Sequence, residues 1–270
     1  MDLSLRRLRA SVKYRWEQWV WLDPAYLEPL VSLLALMPPQ QARGLTKRRI
    51  GASRDGGYVM LDDFAGIEAA ISLGVGPDVS WDFAVAEKGI PVWQYDHTVE
   101  GPPQKHPLFH FNKQRVVARD PSPGDVSFVS LLAPHAGKPL LLKIDIEGDE
   151  WKIFAGASPD LLRDCRQIVI ELHDFRCITD PDWVRHARGI LNYLARDFGV
   201  VHVHGNNLSK NLVLGTRRFP DYLEVTFANR RFYDLSPANE NFPGRYDRKN
   251  NLFFLDFHLG RFQFDAPGKP

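Results

Sequence analysis

Short apolar runs alternate along the chain with stretches of helical periodicity. In order they are AAISLGV (69–75), WDFAVAEKG (81–89), PVWQYD (91–96), LFHF (108–111), VSFVSLLAPHAG (126–137), LLLKIDI (140–146), WKIFAGA (151–157), RQIVIEL (166–172), WVRHARGILNYLARDFG (183–199), VVHVHG (200–205) and YLEVTFA (222–228). Repeated strand and helix units predict a parallel sheet covered by helices on both faces, a doubly wound α/β domain. Upstream, the segment to about Met37 reads as one or two helices. The run PPQQARG closes it, because consecutive prolines stop a helix. The expected organisation is a helical N-terminal extension over 1–40 and one main domain over 41–270. The tail from about Arg230 is rich in Phe, Asn and Pro and gives little periodicity.

Composition narrows the class. At 270 residues the chain can bury a substantial core, and 44% apolar with 25% charged residues argues against disorder. A formal net charge of +1 argues against a nucleic-acid surface. The two cysteines, Cys165 and Cys177, have neither CxxC nor Cys/His metal spacing, so reduced thiols in the cytoplasm are expected. No stretch near the N-terminus approaches the ~20 apolar residues of a membrane span, and its charges are too dense for a signal peptide. Arg6, Arg7, Arg9, Lys13 and Arg15 sit there among Leu3, Leu5, Leu8, Trp16, Trp19 and Trp21. That pattern suits an anionic membrane surface, such as the inner face of the membrane. It equally describes a helix packed on its own domain, the commoner outcome.

In an open α/β sheet ligands bind outside the carboxyl ends of the strands, so the residues that end each strand carry the information. The first strand ends SLGVGPD, where Gly74 and Gly76 permit a sharp turn and close approach to a ligand. Asp78 or Ser80 can cap the helix that follows. PVWQYD ends in Asp96, about 20 residues beyond the glycines, where an acidic side chain can take both hydroxyls of an adenosine ribose. The spacing of Gly74, Gly76 and Asp96 favours a ribose-bearing cofactor over a turn-capping aspartate.

LLLKIDIEGDEW (140–151) places Asp145, Glu147, Asp149 and Glu150 within six positions of a strand end. Together with the glycine turn it resembles the S-adenosylmethionine-dependent class I methyltransferases, and specifically the FkbM-type family, whose hallmark looks like KIDIEG followed by an acidic residue and Trp. Lys143 to Gly148, Glu150 and Trp151 match. RIGASRDGGYVM (49–60), SLGVG with Trp81 and Asp82, IVIELHDF (168–175), HGNN (204–207) and LEVTFANR (223–230) extend the likeness over roughly Arg49 to Arg230. The resemblance implies a Rossmann-like seven-stranded sheet, with the cofactor over the first two strand ends and methyl transfer to an oxygen or nitrogen. SLGVG departs from the family pattern by lacking an acidic residue before its first glycine. The contact to the methionine amine then falls to Asp78, Asp82 or a residue of RDGGY.

Methyl transfer from a sulfonium needs an aligned acceptor and somewhere for its proton to go. On this reading Asp145 sits near the methionyl group or the acceptor, and Glu147 orients the acceptor or holds a neighbouring loop. Glu147, Asp149 and Glu150 can instead charge the start of the helix near Trp151, and clustered carboxylates can hold a divalent cation such as Mg²⁺. IVIELHDF supplies the expected base, His173, with Glu171 on the same strand face and Glu171 or Asp174 to orient its ring. VHVHGNN places His202 and His204 on one face, followed by Asn206 and Asn207, whose amides suit a polyhydroxylated acceptor. His204 joins the expected catalytic set, while His202 reads as structural. In RDGGYVM, Gly57 permits unusual backbone and Tyr58 can cover the cofactor, although a plain turn into an edge strand fits as well.

The function expected from these residues is an O-methyltransferase acting on a hydroxyl of a sugar, glycan or glycosylated metabolite. The sugar comes from the resemblance. Two other classes share the features: a nicotinamide-dependent sugar oxidoreductase, and a non-catalytic glycan-binding or scaffold module. Against the former, the third glycine of the dinucleotide motif is missing, and Tyr193 is followed by Asp197 where a YxxxK pair needs lysine.

Overall fold

The computed structural model describes residues 18–154, 157–158 and 160–264. Its main sheet has seven strands: β1 (Ala69–Leu73), β2 (Val92–Tyr95), β3 (Phe109–Asn112), β4 (Leu140–Ile144), β5 (Cys165–Leu172), β6 (Phe198–Gly205) and β7 (Leu223–Asn229). Their order is β3-β2-β1-β4-β5-β7-β6. β7 runs antiparallel to both neighbours, whereas the pairs from β3 to β5 are parallel. The sheet is thus mixed rather than wholly parallel. Between β6 and β7 the chain makes only the short hairpin Asn211–Leu214/Arg217–Pro220, with no crossover helix to carry it to the other end of the sheet. The strand order reverses between β1 and β4, the switch point at which such sheets bind ligands.

Strand alternation sorts the core from the chemistry. Ala69, Ile71 and Leu73 of β1, Leu140, Leu142 and Ile144 of β4, and Ile168, Ile170 and Leu172 of β5 share one face and one core cluster. α1 (Leu27–Leu34), α3 (Phe128–Leu132) and α5 (Pro181–Asp197) contribute to the same cluster. In α5 the buried positions Ala187, Ile190, Leu191 and Leu194 keep helical spacing. The opposite face buries Ala70, Leu141 and Val169 with Trp81 and Val85 of α2 (Ser80–Ala86). A hairpin, Lys47–Ile50 with Tyr58–Leu61, lies over this second face. Leu61 N donates to Gln167 Oε1 (2.8 Å), and Thr226 Oγ1 donates to Val59 O (2.6 Å).

The N-terminal expectation needs correcting where it can be compared. Trp19–Leu22 is a strand, paired in parallel with Asn211–Leu214. Val20 and Leu22 pack on the main core while Trp19 and Trp21 face outward, so the alternation of WVWL and an available sheet edge outweigh helix periodicity. α1 is the helix in this stretch, and its Leu30, Leu33 and Leu34 belong to the main core. The basic run from Arg6 to Arg15, and with it the expected membrane contact, lies outside the described residues. The aperiodic tail also packs inward, burying Phe242, Phe257 and Phe262.

Candidate active site

The register of β1 and β4 builds the floor of the site. Leu73 pairs with Ile144, so the next residues, Gly74 and Asp145, leave the sheet side by side. A Cβ on Gly74 would lie 1.7 Å from the Asp145 carbonyl oxygen, and Gly74 has φ +81°. Only glycine satisfies both conditions. Lys143 Nζ donates to Gly74 O (2.6 Å) and ties the turn to β4. Above this floor lies a cleft of about 360 Å³ between the strand ends and the Asp55–Tyr58 loop. That volume is within the usual range for a cofactor site.

Asp96, at the end of β2, lines the cleft and organises its wall. Oδ2 accepts from Val75 N and Gly76 N (both 2.9 Å), and Oδ1 accepts from Thr98 N (2.7 Å) and Thr98 Oγ1 (2.6 Å). Burial raises its pKa, but these four donors outweigh burial and hold the carboxyl below the ordinary carboxylate value. They also occupy about all of its acceptor positions. Asp96 therefore shapes the glycine turn, and a ribose reaches it only by exchange with these donors. Asp78 Oδ1 accepts from Ser80 N (2.8 Å), so the first amide of α2 is already satisfied.

The far end of the cleft gathers the acidic motif. Asp145 Oδ2 accepts from the Tyr58 hydroxyl (3.0 Å) and stands 4.0 Å from Lys143 Nζ. Burial and the charge of Asp145 push the Tyr58 hydroxyl well above its usual pKa, so it stays protonated as a donor. Glu171 Oε1 accepts from Asn206 Nδ2 (2.5 Å). Burial, then the Asp145 charge, raises the Glu171 carboxyl well above its usual range. Glu147 has left-handed backbone (φ 56°), a strained placement for a non-glycine residue. Its Oε2 lies 3.8 Å from His173 Nε2.

His173 is held from three sides. Its Nδ1 lies 3.0 Å from Glu150 Oε1 and 3.1 Å from Glu171 O, Trp151 Nε1 donates to its carbonyl (2.7 Å), and the Tyr222 ring packs at 4.3 Å between centroids. Burial alone lowers the pKa of the imidazole. The hydrogen bond and charge of Glu150, with the charges of Glu171 and Asp145, reverse that and push it up to about 10. The surrounding carboxylates thus favour the protonated form of the ring, and a base role for His173 needs that proton displaced first.

The other carboxylates of the motif have structural employment. Glu150, fully buried in α4 (Glu150–Ile153), accepts from Ile146 N (2.7 Å) and Gly148 N (2.9 Å), which clamps the loop after β4. Asp149 pairs with Arg115 (2.8 Å) and Lys152 (2.7 Å).

Of the residues expected from sequence, Gly74, Gly76, Asp78, Asp96, Tyr58, Asp145, Glu147, Glu171, His173 and Asn206 line one cleft. Four do not. Asp82 is fully buried behind it, accepting from Gln94 Nε2 (2.9 Å), and burial raises its pKa. Gly57 serves the hairpin turn, where a Cβ would lie 1.9 Å from Ala52 O. His204 is walled in between Glu224 Oε2 (3.0 Å) and Asp256 Oδ1 (3.4 Å). Asn207 fastens the tail, donating to Asn251 O (2.8 Å) and accepting from Asn251 N (2.8 Å). Sequence reasoning passed over Lys143, Glu150 as partner of His173, and Tyr222. The signal for Lys143 was its strand parity with Asp145; for Tyr222, its place as the first residue of the YLEVTFA alternation.

Seven carboxylates, Asp55, Asp78, Asp96, Asp145, Glu147, Asp149 and Glu171, line the cleft against Lys143 and Arg115. This lining suits a cationic ligand and opposes a pyrophosphate. A family model described as the methyltransferase FkbM domain matches residues 69–199. The matched segment runs from the first residue of β1 into β6 and takes in Gly74, Asp96, Asp145, Glu171 and His173, but not Tyr58, Asn206 or β7. No curated protein matches the chain.

Proposed function

We propose that this chain, which belongs to the FkbM methyltransferase family through residues 69–199, transfers a methyl group from S-adenosylmethionine to a hydroxyl of a sugar, glycan or glycosylated metabolite. The observation that carries the cofactor is the acidic cleft at the switch point, floored by the Gly74–Asp145 contact. When bound, S-adenosylmethionine supplies an electrophilic methyl on a sulfonium. The turn Gly74–Asp78 and the Asp96–Thr98 wall hold the adenosine portion. The carboxylates around Asp145 match the positive charge of the methionyl portion. At the far end Asn206, Glu171 and Asp145 present amide and carboxylate groups suited to hydroxyls. The acceptor proton passes to the carboxylate cluster at this end of the cleft.

The nicotinamide alternative is disfavoured by the same cleft, since the glycine-turn amides serve Asp96 and the first amide of α2 serves Asp78. For partners, a carbohydrate acceptor and peripheral contact with an anionic membrane remain the reading; exposed Trp21 at the described edge of the N-terminal stretch supports the latter. Calorimetric titration with S-adenosylhomocysteine and with NAD tests the cofactor. Binding of the first and not the second, with turnover on a glycan acceptor lost in Asp145→Asn, is the expected result. A folded protein that binds neither refutes the enzyme reading and leaves the binding module.

A further inference from the structure

We infer that Asp145, Glu171 and His173 form a divalent-cation site at the acceptor end of the cleft, with Glu150 as the buried group that orients the histidine. Asp145, Glu171 and His173 each offer one ligand atom within 4.8 Å of the others. His173 Nε2 stands 3.6 Å from Glu171 Oε2 and 4.0 Å from Asp145 Oδ1. Both separations are too long for hydrogen bonds. Both are shorter than the ~4.2 Å that two ligands, each about 2.1 Å from one ion, can span.

The free valences of all three side chains point to the same place. Asp145 commits Oδ2 to Tyr58, and Glu171 commits Oε1 to Asn206, so the oxygens nearest His173 Nε2 are the uncommitted ones. His173 is 3% exposed, and among the described residues its Nε2 makes no hydrogen bond, while Nδ1 has both Glu150 and a carbonyl. Glu150 is itself fixed by two backbone amides and fully buried. A carboxylate behind an imidazole fixes the Nδ1–H tautomer and leaves the Nε2 lone pair forward, the arrangement that supports metal-bound histidines. A bound cation takes the place of the proton that the ring otherwise holds.

Two carboxylate oxygens and one imidazole nitrogen suit Mg²⁺ or Mn²⁺, which take further oxygen ligands. Three protein ligands leave coordination positions facing the cleft, enough for two adjacent hydroxyls. The acceptor class this fits is therefore a vicinal diol, whose cation-bound hydroxyl ionises more readily. The diol assignment rests on the methyltransferase reading; the cation site itself rests on the donor geometry alone.

The test uses the full chain, stripped with EDTA and titrated with Mn²⁺ while free Mn²⁺ is followed by electron paramagnetic resonance. One Mn²⁺ per chain, displaced by Mg²⁺, is expected. Asp145→Asn and Glu171→Gln should each weaken binding more than about tenfold and Glu150→Gln about 10- to 100-fold, with Asp182→Asn, exposed in the first turn of α5, unchanged. No bound Mn²⁺ at millimolar concentration, or wild-type affinity in Asp145→Asn and Glu171→Gln, overturns the site. Should buried Glu171→Gln fail to fold, the more exposed Asp145→Asn decides alone. S-adenosylhomocysteine titrated in EDTA separates the two readings. If it binds while Mn²⁺ does not, only the cation site falls; if Mn²⁺ binds and it does not, the cofactor reading falls and the site stands.

Discussion

Substituting the two glycines of SLGVG separates a turn that merely favours glycine from a contact that requires it. Gly76 has φ +55°, and a Cβ there would meet nothing within 4 Å. Alanine at this position costs about 1–2 kcal/mol for the left-handed backbone, offset by roughly 0.4–1 kcal/mol from a less flexible unfolded chain. The net loss for Gly76→Ala is therefore about 0–1.6 kcal/mol. Gly74 carries the same backbone cost, and its Cβ would also sit 1.7 Å from the Asp145 carbonyl oxygen. That carbonyl must retreat by roughly 1.5 Å or more to reach ordinary contact. The retreat strains the bond from Asp145 N to Leu73 O (2.9 Å) and the one from Lys143 to Gly74 O. Each buried group left unpaired costs about 1–3 kcal/mol, which brings Gly74→Ala to roughly 3–5 kcal/mol of a typical total of 5–15. Urea denaturation of both variants, with m-values compared, measures the difference. Equal destabilisation by the two substitutions would refute the close-approach argument, whatever either does to activity.

Asp96→Ala should weaken S-adenosylhomocysteine binding about 10- to 100-fold, from the loss of charge-assisted bonds to the glycine turn at about 1.5–3 kcal/mol; calorimetry on a variant shown to be folded reads it. Trp151→Phe removes the donor to the His173 carbonyl. It should cost about 1–3 kcal/mol of stability and lower kcat more than cofactor affinity, which kinetics beside denaturation can check. Burial lowers the His204 pKa, but the Glu224 charge and the Asp256 and Glu224 hydrogen bonds push it up to about 10 in the fold, against about 6.5 unfolded. A raised pKa stabilises fully below about pH 6.5 and loses that contribution as pH rises through 10. The Tm gap between wild type and His204→Gln should therefore be widest near pH 6 and close towards pH 10; a gap that widens with pH contradicts the charged pair.

The sheet was legible because its strands are buried on both faces and read as near-continuous apolar runs; LLLKI and CRQIVIEL are examples. The strand ends were legible too, since parity alone puts Asp145, Glu171 and His173 on the face away from the main core. Lateral order was not. Nothing in the chain announces that β7 slots between β5 and β6. That insertion sets Glu224 opposite both Glu171 and His204, and so places His204 beyond Glu224, walled off from the cleft, although its sequence context mirrors that of His173. Asp82 misled for a related reason: within the seven-residue α2 its side chain turns towards the sheet and Gln94, while Asp78, in the turn before the helix, faces the cleft. Trp19–Leu22 was hidden because a four-residue strand owes its conformation to an edge contributed almost two hundred residues later.

The distribution of charge over the second face of the sheet explains why the cleft is where the chemistry belongs. Away from the cleft three buried acids have a side-chain ion partner: Asp247 with His202 (2.7 Å), Glu224 with His204 (3.0 Å), and Asp221 with Arg176; Asp82 is instead held by Gln94 with a raised pKa. Burying an ion without such a partner costs several kcal/mol. At the cleft the pairing fails. Lys143 donates to Gly74 O and stands 4.0 Å from Asp145, and Arg115 pairs with Asp149, which leaves Asp145, Glu147 and Glu171 gathered round the single ring of His173. The fold answers by raising the pKa of buried Glu171 rather than by adding a cation of its own. Among the described residues the crowding of acids is greatest here, which is where something from solution can complete the charge deficit. A sulfonium at one end of the deficit and a divalent cation at the other would both lower it, and neither would compete with the groups that hold the glycine turn.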